Sequence, residues 1–175
     1  MTHTDTQTRA LCEAFIAELE EEATTTRRAL ERVPVGKNDW KPHPKSMPLG
    51  YLAHLVATMP EWINMTIDQD ELDIAPTTGR KMPELAATTA DLLARFDRAV
   101  DAAKATLRKT DDAYLQTSWK LLAGGHVVSE RPRQLVLRHG VMNHWVHHRG
   151  QLTVYLRLND AKVPSIYGPT ADEGR

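Results

Sequence analysis

The chain has 175 residues, 22 lysines and arginines against 23 aspartates and glutamates, a net charge of −1, and a hydrophobic share of 41%. A near-neutral chain without a Lys/Arg tract lacks the electrostatic footprint of a nucleic-acid binder and the polybasic anchor of a membrane-surface protein, and this apolar content excludes a disordered chain. A single cysteine, Cys12, excludes an intramolecular disulfide or a CxxC metal or redox site; it suits a reducing cytoplasm and reads as a small core residue.

The length fits one domain over residues 1–175. The stretch Met1–Arg9 is polar and lacks the apolar run of a secretory signal, and no later segment approaches the roughly 20 uncharged residues of a membrane span. From Leu11, the positions Phe15, Leu19, Ala23, Leu30 and Val33 recur mostly at helical spacing, which predicts a first helix ending at Val33-Pro34. A proline-punctuated loop, Trp40–Ser46, precedes a second helix entered near Pro48 and carrying Leu52, Leu55, Val56, Met59, Trp62 and Ile63. Pro60 lies inside that pattern and predicts a kink one turn upstream, not an end.

Asp68–Met82 reads as a connection. Thr88 and Asp91 have capping-box chemistry ahead of a third helix with Leu92, Phe96, Val100, Ala103 and Leu107. Trp119–Ala123 and His126–Val128 flank Gly124-Gly125 at the spacing of a tight hairpin. Ser129 with Pro132 opens the last and longest helix, which runs to about Asn159. Four helices and a hairpin insert predict an all-α fold, a four-helix bundle whose sites are built from side chains on facing helices.

The eight histidines are the unusual feature, and His139, His144, His147 and His148 fall within ten residues of one another. At 100° per residue, with His144 at zero, His148 falls at roughly +40°, Leu137 and Tyr155 at roughly +20°, Val141 at roughly +60° and Leu158 at roughly −40°. The spacing therefore predicts two histidines, one turn apart, in the centre of an apolar stripe. Imidazoles four residues apart grip one ion, as in HExxH helices, and a buried ring nitrogen without a partner costs about 1–3 kcal/mol. A hydrogen-bonded structural pair is the competing arrangement. His54, at the margin of the apolar face of the second helix, supplies a third imidazole from a facing helix, the ligand count of metal sites that keep a position open. Imidazole ligation suits zinc, nickel, copper or iron(II). Arg149, flanking the pair, either receives an anionic group of a substrate or cofactor or lies on the solvated face. Glu61 is a candidate for the surrounding cleft. Leu135, Met142 and Val146, opposite the histidines, require cover from another element or a second subunit.

The motifs Leu52-Ala-His54-Leu, Asn143-His-Trp-Val-His-His-Arg-Gly-Gln-Leu152 and Val163-Pro-Ser-Ile-Tyr-Gly-Pro169, together with the Trp40-Lys-Pro-His-Pro-Lys loop, give the chain a wider likeness. It resembles the DinB family of DinB/YfiT-like metalloenzymes over essentially its whole length. The resemblance implies a four-helix bundle, frequently a homodimer, holding a divalent metal, zinc or nickel, on His54, His144 and His148. It further implies a metal-dependent transferase or isomerase that joins a low-molecular-weight thiol such as bacillithiol, mycothiol or glutathione to a small electrophile. With one cysteine in the chain, a reactive sulfur would come from outside. The alternative is a non-enzymatic, stress-associated protein in which the metal only staples two helices.

Overall fold

The computed structural model describes residues 8–79 and 83–174. The polar N-terminal stretch and the end of the 68–82 connection thus lie partly outside the described residues. Helix α1 spans Ala10–Leu30 and buries Cys12, Phe15, Leu19, Ala23, Ala29 and Leu30 along one stripe. Arg9 gives it no side-chain cap; the carboxylate of Asp112 instead accepts the N–H groups of Leu11 and Cys12 at 3.0 Å each. A residue a hundred positions away thereby satisfies donors that every helix start leaves unpaired.

Helices α2, Leu49–Thr58, and α3, Glu61–Asp68, occupy the span expected for one kinked helix. The interruption sits at Met59-Pro60 itself, not a turn upstream. Both residues keep right-handed helical dihedrals, but the N–H groups of Trp62 and Ile63 reach only three residues back, to Met59 and Pro60. Proline has no N–H to continue the ladder, so the helix restarts behind it. Gly50 is required near the start of α2: a Cβ there would lie 2.8 Å from the side chain of Asn38.

The fold is mixed, and this corrects the all-α four-helix bundle expected from sequence. Strand β1, Glu71–Asp73, lies in the stretch read as a connection and pairs in parallel with β2, Ser118–Ala123, which pairs antiparallel with β3, His126–Pro132. The β2–β3 hairpin forms at Gly124-Gly125 as expected, both glycines having positive φ. The third strand escaped the sequence because it is only three residues long, too short for an alternating pattern. Asp73, at its end, accepts the N–H groups of Gly124 and Gly125 at 3.0 and 2.7 Å and ties the turn to β1.

Helix α4, Thr89–Lys109, starts as the capping chemistry predicts, with Thr88 accepting the Asp91 N–H at 3.1 Å. The short α5, Asp112–Leu115, leads to the sheet. The last helical stretch begins after Pro132, not at Ser129, because β3 pairing claims residues 126–132. It comprises α6, Arg133–Leu135, a π-helical segment, Val136–Met142, and α7, Asn143–Leu158. Buried Arg133 joins sheet to helices: it donates to the carbonyls of Thr66, Gln69 and Ser118 and pairs with Asp70. In the core, Trp145 of α7 packs on Phe96 of α4 and donates its indole N–H to the Val56 carbonyl of α2 at 2.8 Å. No helix among the described residues is long and apolar enough to cross a membrane.

Candidate functional site

The buried residues of α7 are Trp145, His148, Arg149, Leu152, Tyr155 and Leu156. On the scale with His144 at zero they centre at roughly +80°, between Trp145 and Leu152. The histidines therefore lie along one edge of the stripe and not at its centre: His148 is buried at 8% exposure, His144 is half-buried and His147 exposed. Leu137 and Val141, which pull the sequence estimate toward the histidines, belong to the π-helical segment, where the chain winds with an extra residue per turn. Leu158, also counted there, is exposed. Of the opposite face, Met142 is covered by the chain itself, while Leu135 stays exposed.

At that edge the Nε2 atoms of His144 and His148 face each other at 2.9 Å. The ring of Trp62, from α3, stands edge-on to His144 at 5.5 Å between centroids. His148 Nδ1 lies 2.8 Å from Gln151 Oε1, an oxygen that only accepts, so Nδ1 carries the hydrogen and Nε2 presents its lone pair. The amide of Gln151 in turn donates to His147 Nε2 at 3.0 Å, which holds the glutamine in that orientation. Burial lowers the pKa of His148 below the ordinary histidine value, partly opposed by the Gln151 hydrogen bond and reinforced by the neighbouring His144 and His147. His148 is thus neutral at pH 7, with Nδ1 oriented by Gln151 and the Nε2 lone pair accepting from His144 Nε2, so a bound ion would take the place of that hydrogen. Two nitrogens at zinc-ligand distances in tetrahedral geometry stand about 3.3 Å apart, so the observed pair needs to open by only a few tenths of an ångström. The pair fits a divalent cation.

His54 is half-buried on α2, and its Nδ1 lies 2.9 Å from Nη1 of Arg95 on α4. The same Nη1 donates to the Glu84 carbonyl at 2.7 Å. Burial and the guanidinium both lower the pKa of His54. The structure thus brings His144 and His148 together and leaves His54 bonded to Arg95; no group of three or more His, Cys, Asp or Glu with metal-binding geometry forms among the described residues. Arg149 is neither solvated nor free for a cofactor. At 2% exposure it pairs with Glu22 at 2.5 Å and donates to Thr25, Thr26 and Tyr167 at 2.8, 3.1 and 2.6 Å. Its azimuth, roughly +140°, aims it between α7 and α1. Glu61 is exposed on α3, and His43 stays in its loop, where Nδ1 accepts the Lys45 N–H. Gln151 and Arg95 were missed as site residues. Gln151 was within reach of sequence reasoning, three residues from His148 on the same edge, whereas the α4 arginine had no signal.

The DinB family model matches residues 2–174 of the sequence. The chain belongs to the DinB family. Among solved structures, this DinB-family chain is similar to a DinB-like protein from Bacillus cereus ATCC 10987, with a TM-score of 0.71 and 20% identity over 89% of this chain and 97% of that one. It is also similar to a DinB-like protein, YjoA, from Bacillus subtilis, with a TM-score of 0.64 and 15% identity over 89% and 99% of the two chains. No curated protein matches it in sequence.

Proposed function

We propose that this DinB-family chain binds a divalent metal ion, zinc or nickel, through His144 and His148 with His54 as the third nitrogen, and acts as a transferase or isomerase on a low-molecular-weight thiol and a small electrophile. The observation that carries the reading is His148: neutral, oriented through Nδ1 by Gln151, with Nε2 turned to the matching nitrogen of His144. A bound divalent ion would supply a Lewis-acid position that lowers the pKa of a thiol placed on it. The histidine edge is half-open, with His147 exposed beside it, and this supports a site that admits a ligand over one that only staples helices. Trp62 supplies an apolar wall against His144.

A homodimer belongs to the same reading, supported by exposed apolar Val154 and Leu158 on α7; sedimentation of the purified chain tests it. The metal is tested by its content in the wild type and in His148→Ala after metal-replete expression. A near-stoichiometric ion in the wild type and its loss in the variant are expected. A metal-free wild type sinks the proposal. Titration of the cobalt-substituted protein with thiols then tests the open position: a thiolate-to-metal absorption band is expected, and an unchanged spectrum across a thiol panel removes the thiol chemistry.

A further inference from the structure

Arg95 lies beside a groove of about 260 Å³ lined by Glu84, Asp91, Ala94, Arg95 and Arg98. Glu84 and Asp91 line the groove beside its two cations, but among the described residues neither carboxylate forms an ion pair with Arg95 or Arg98. Among the described residues, Arg27, Arg28, Arg133, Arg138, Arg149 and Arg157 each pair with a carboxylate, while Arg95 and Arg98, like Arg9 and Arg131, pair with none. Glu84 meets Arg95 through its backbone carbonyl, and the Asp91 carboxylate accepts the Thr88 hydroxyl at 2.7 Å. Arg95 is half-buried, so this guanidinium has lost part of its water without gaining an anion.

The contact between Arg95 and His54 has a strict chemical consequence. Arginine offers only donors, so Nδ1 of His54 must supply the lone pair, and in the neutral ring the hydrogen then sits on Nε2. While that bond holds, neither nitrogen of His54 has a free lone pair for a cation. In the His144–His148 contact the hydrogen between the two Nε2 atoms belongs to His144 and moves to its Nδ1 to free both lone pairs, whereas a guanidinium can only donate.

We infer that the groove beside Arg95 is a binding site for a carboxylate of a small-molecule ligand, and that the carboxylate, by taking over the Arg95 guanidinium, releases His54 to join the metal site. A carboxylate accepts two parallel, charge-assisted hydrogen bonds from a guanidinium, whereas a neutral imidazole accepts one and brings no charge, so the exchange is favourable. Arg98, one turn further along α4, adds a second cation to the same groove. Because each ligand favours the state the other needs, metal and carboxylate bind cooperatively, and by reciprocity each tightens the other by the same factor. This inference rests on the metal site proposed above.

The experiment measures zinc affinity against a chromophoric chelator in saturating sodium succinate and in sodium chloride of equal ionic strength, with the chelator's own zinc equilibrium determined in each buffer. Succinate is expected to tighten zinc binding by the wild type about fivefold or more, the lower end of typical coupling between sites. Arg95→Leu is expected to bind zinc more tightly than the wild type in chloride and to lose the response to succinate; Arg98→Gln keeps a weaker response. Arg95→Gln is carried in parallel and replaces the leucine variant if circular dichroism shows that chain unfolded. An unchanged or weaker zinc affinity of the wild type in succinate overturns the inference, as does an Arg95 variant that binds zinc no better than the wild type. Succinate titration of the metal-free protein by calorimetry separates this failure from that of the metal proposal. If wild type and His148→Ala bind zinc alike, the metal site falls, and the carboxylate site then stands only if metal-free wild type binds succinate and Arg95→Leu does not.

Discussion

The two sides of α7 solve the same problem in opposite ways. On the side facing α1, Arg149 is buried, and its guanidinium is shared among Glu22, Thr25, Thr26 and Tyr167. On the side facing α3, His144 and His148 have an oriented ring but turn their remaining nitrogens toward each other. A buried charge held by a carboxylate and hydroxyls of the chain ties helices together, whereas a nitrogen paired only with an equivalent imidazole is held by one bond that a ligand would displace. His148 and Arg149 are neighbours in sequence, and the step of about 100° between them sends one to α3 and the other to α1.

The largest effect that would break this comparison comes from Arg149. Arg149→Ala leaves the largely buried Glu22 carboxylate without its cation, which is expected to cost about 3–5 kcal/mol, a fall in Tm of about 6–20 °C by thermal melting. Zinc affinity per folded molecule should be unchanged; a selective loss of zinc with an intact Tm would return Arg149 to the site. The reverse pattern is expected for His148→Ala, with zinc affinity down at least about 100-fold, or about 2.7 kcal/mol, and a smaller shift in Tm. Gln151→Leu keeps both imidazoles and removes only the acceptor that orients His148, so a loss of about 10–100-fold in zinc affinity is expected from competition titration.

A smaller effect is expected from pH. Burial lowers the folded-state pKa of His54 and His148 below the ordinary value near 6.5, so the unfolded chain binds more protons than the native one as the medium is acidified. Their contribution to stability is complete above about pH 6.5 and is lost as pH falls through that value toward the folded-state pKa. The metal-free protein should melt lower at pH 5.5 than at 7.5, and His148→Gln should narrow the gap. The smallest response is expected from Cys12. Burial and the hydrogen-bonded Asp112 carboxylate push its thiol up to about 12, so at pH 8 a thiolate fraction of about one in ten thousand resists iodoacetamide until the chain unfolds. Rapid alkylation of the native protein would show that the start of α1 is open.

The helices were legible wherever an apolar stripe persisted over several turns, as in α1 and α4, or where capping chemistry marked a start, as at Thr88. The hairpin was legible because Gly124-Gly125 is turn chemistry in itself. Strand β1 was not, since its partner lies nearly fifty residues away and three residues carry no period. The extent of the last helix was misjudged for a related reason: Ser129 reads as a helix start in isolation, yet pairing across the hairpin places it in β3.

For the site, the sequence by itself determined that two imidazoles stand one helical turn apart on the last helix and that a third lies on an apolar helix, because four-residue spacing places side chains on one edge whatever surrounds them. Tertiary structure alone decided the depth and the partners. Burial of Trp145, Arg149, Leu152 and Leu156 centres the stripe of α7 away from the histidines, while the π-helical segment takes Leu137 and Val141 out of the 100° count; the approach of α1 consumes Arg149; and the approach of α4 brings Arg95 to His54. Helical periodicity reports direction around an axis. Which neighbour waits in that direction, and whether it accepts or donates, is decided only when the helices pack.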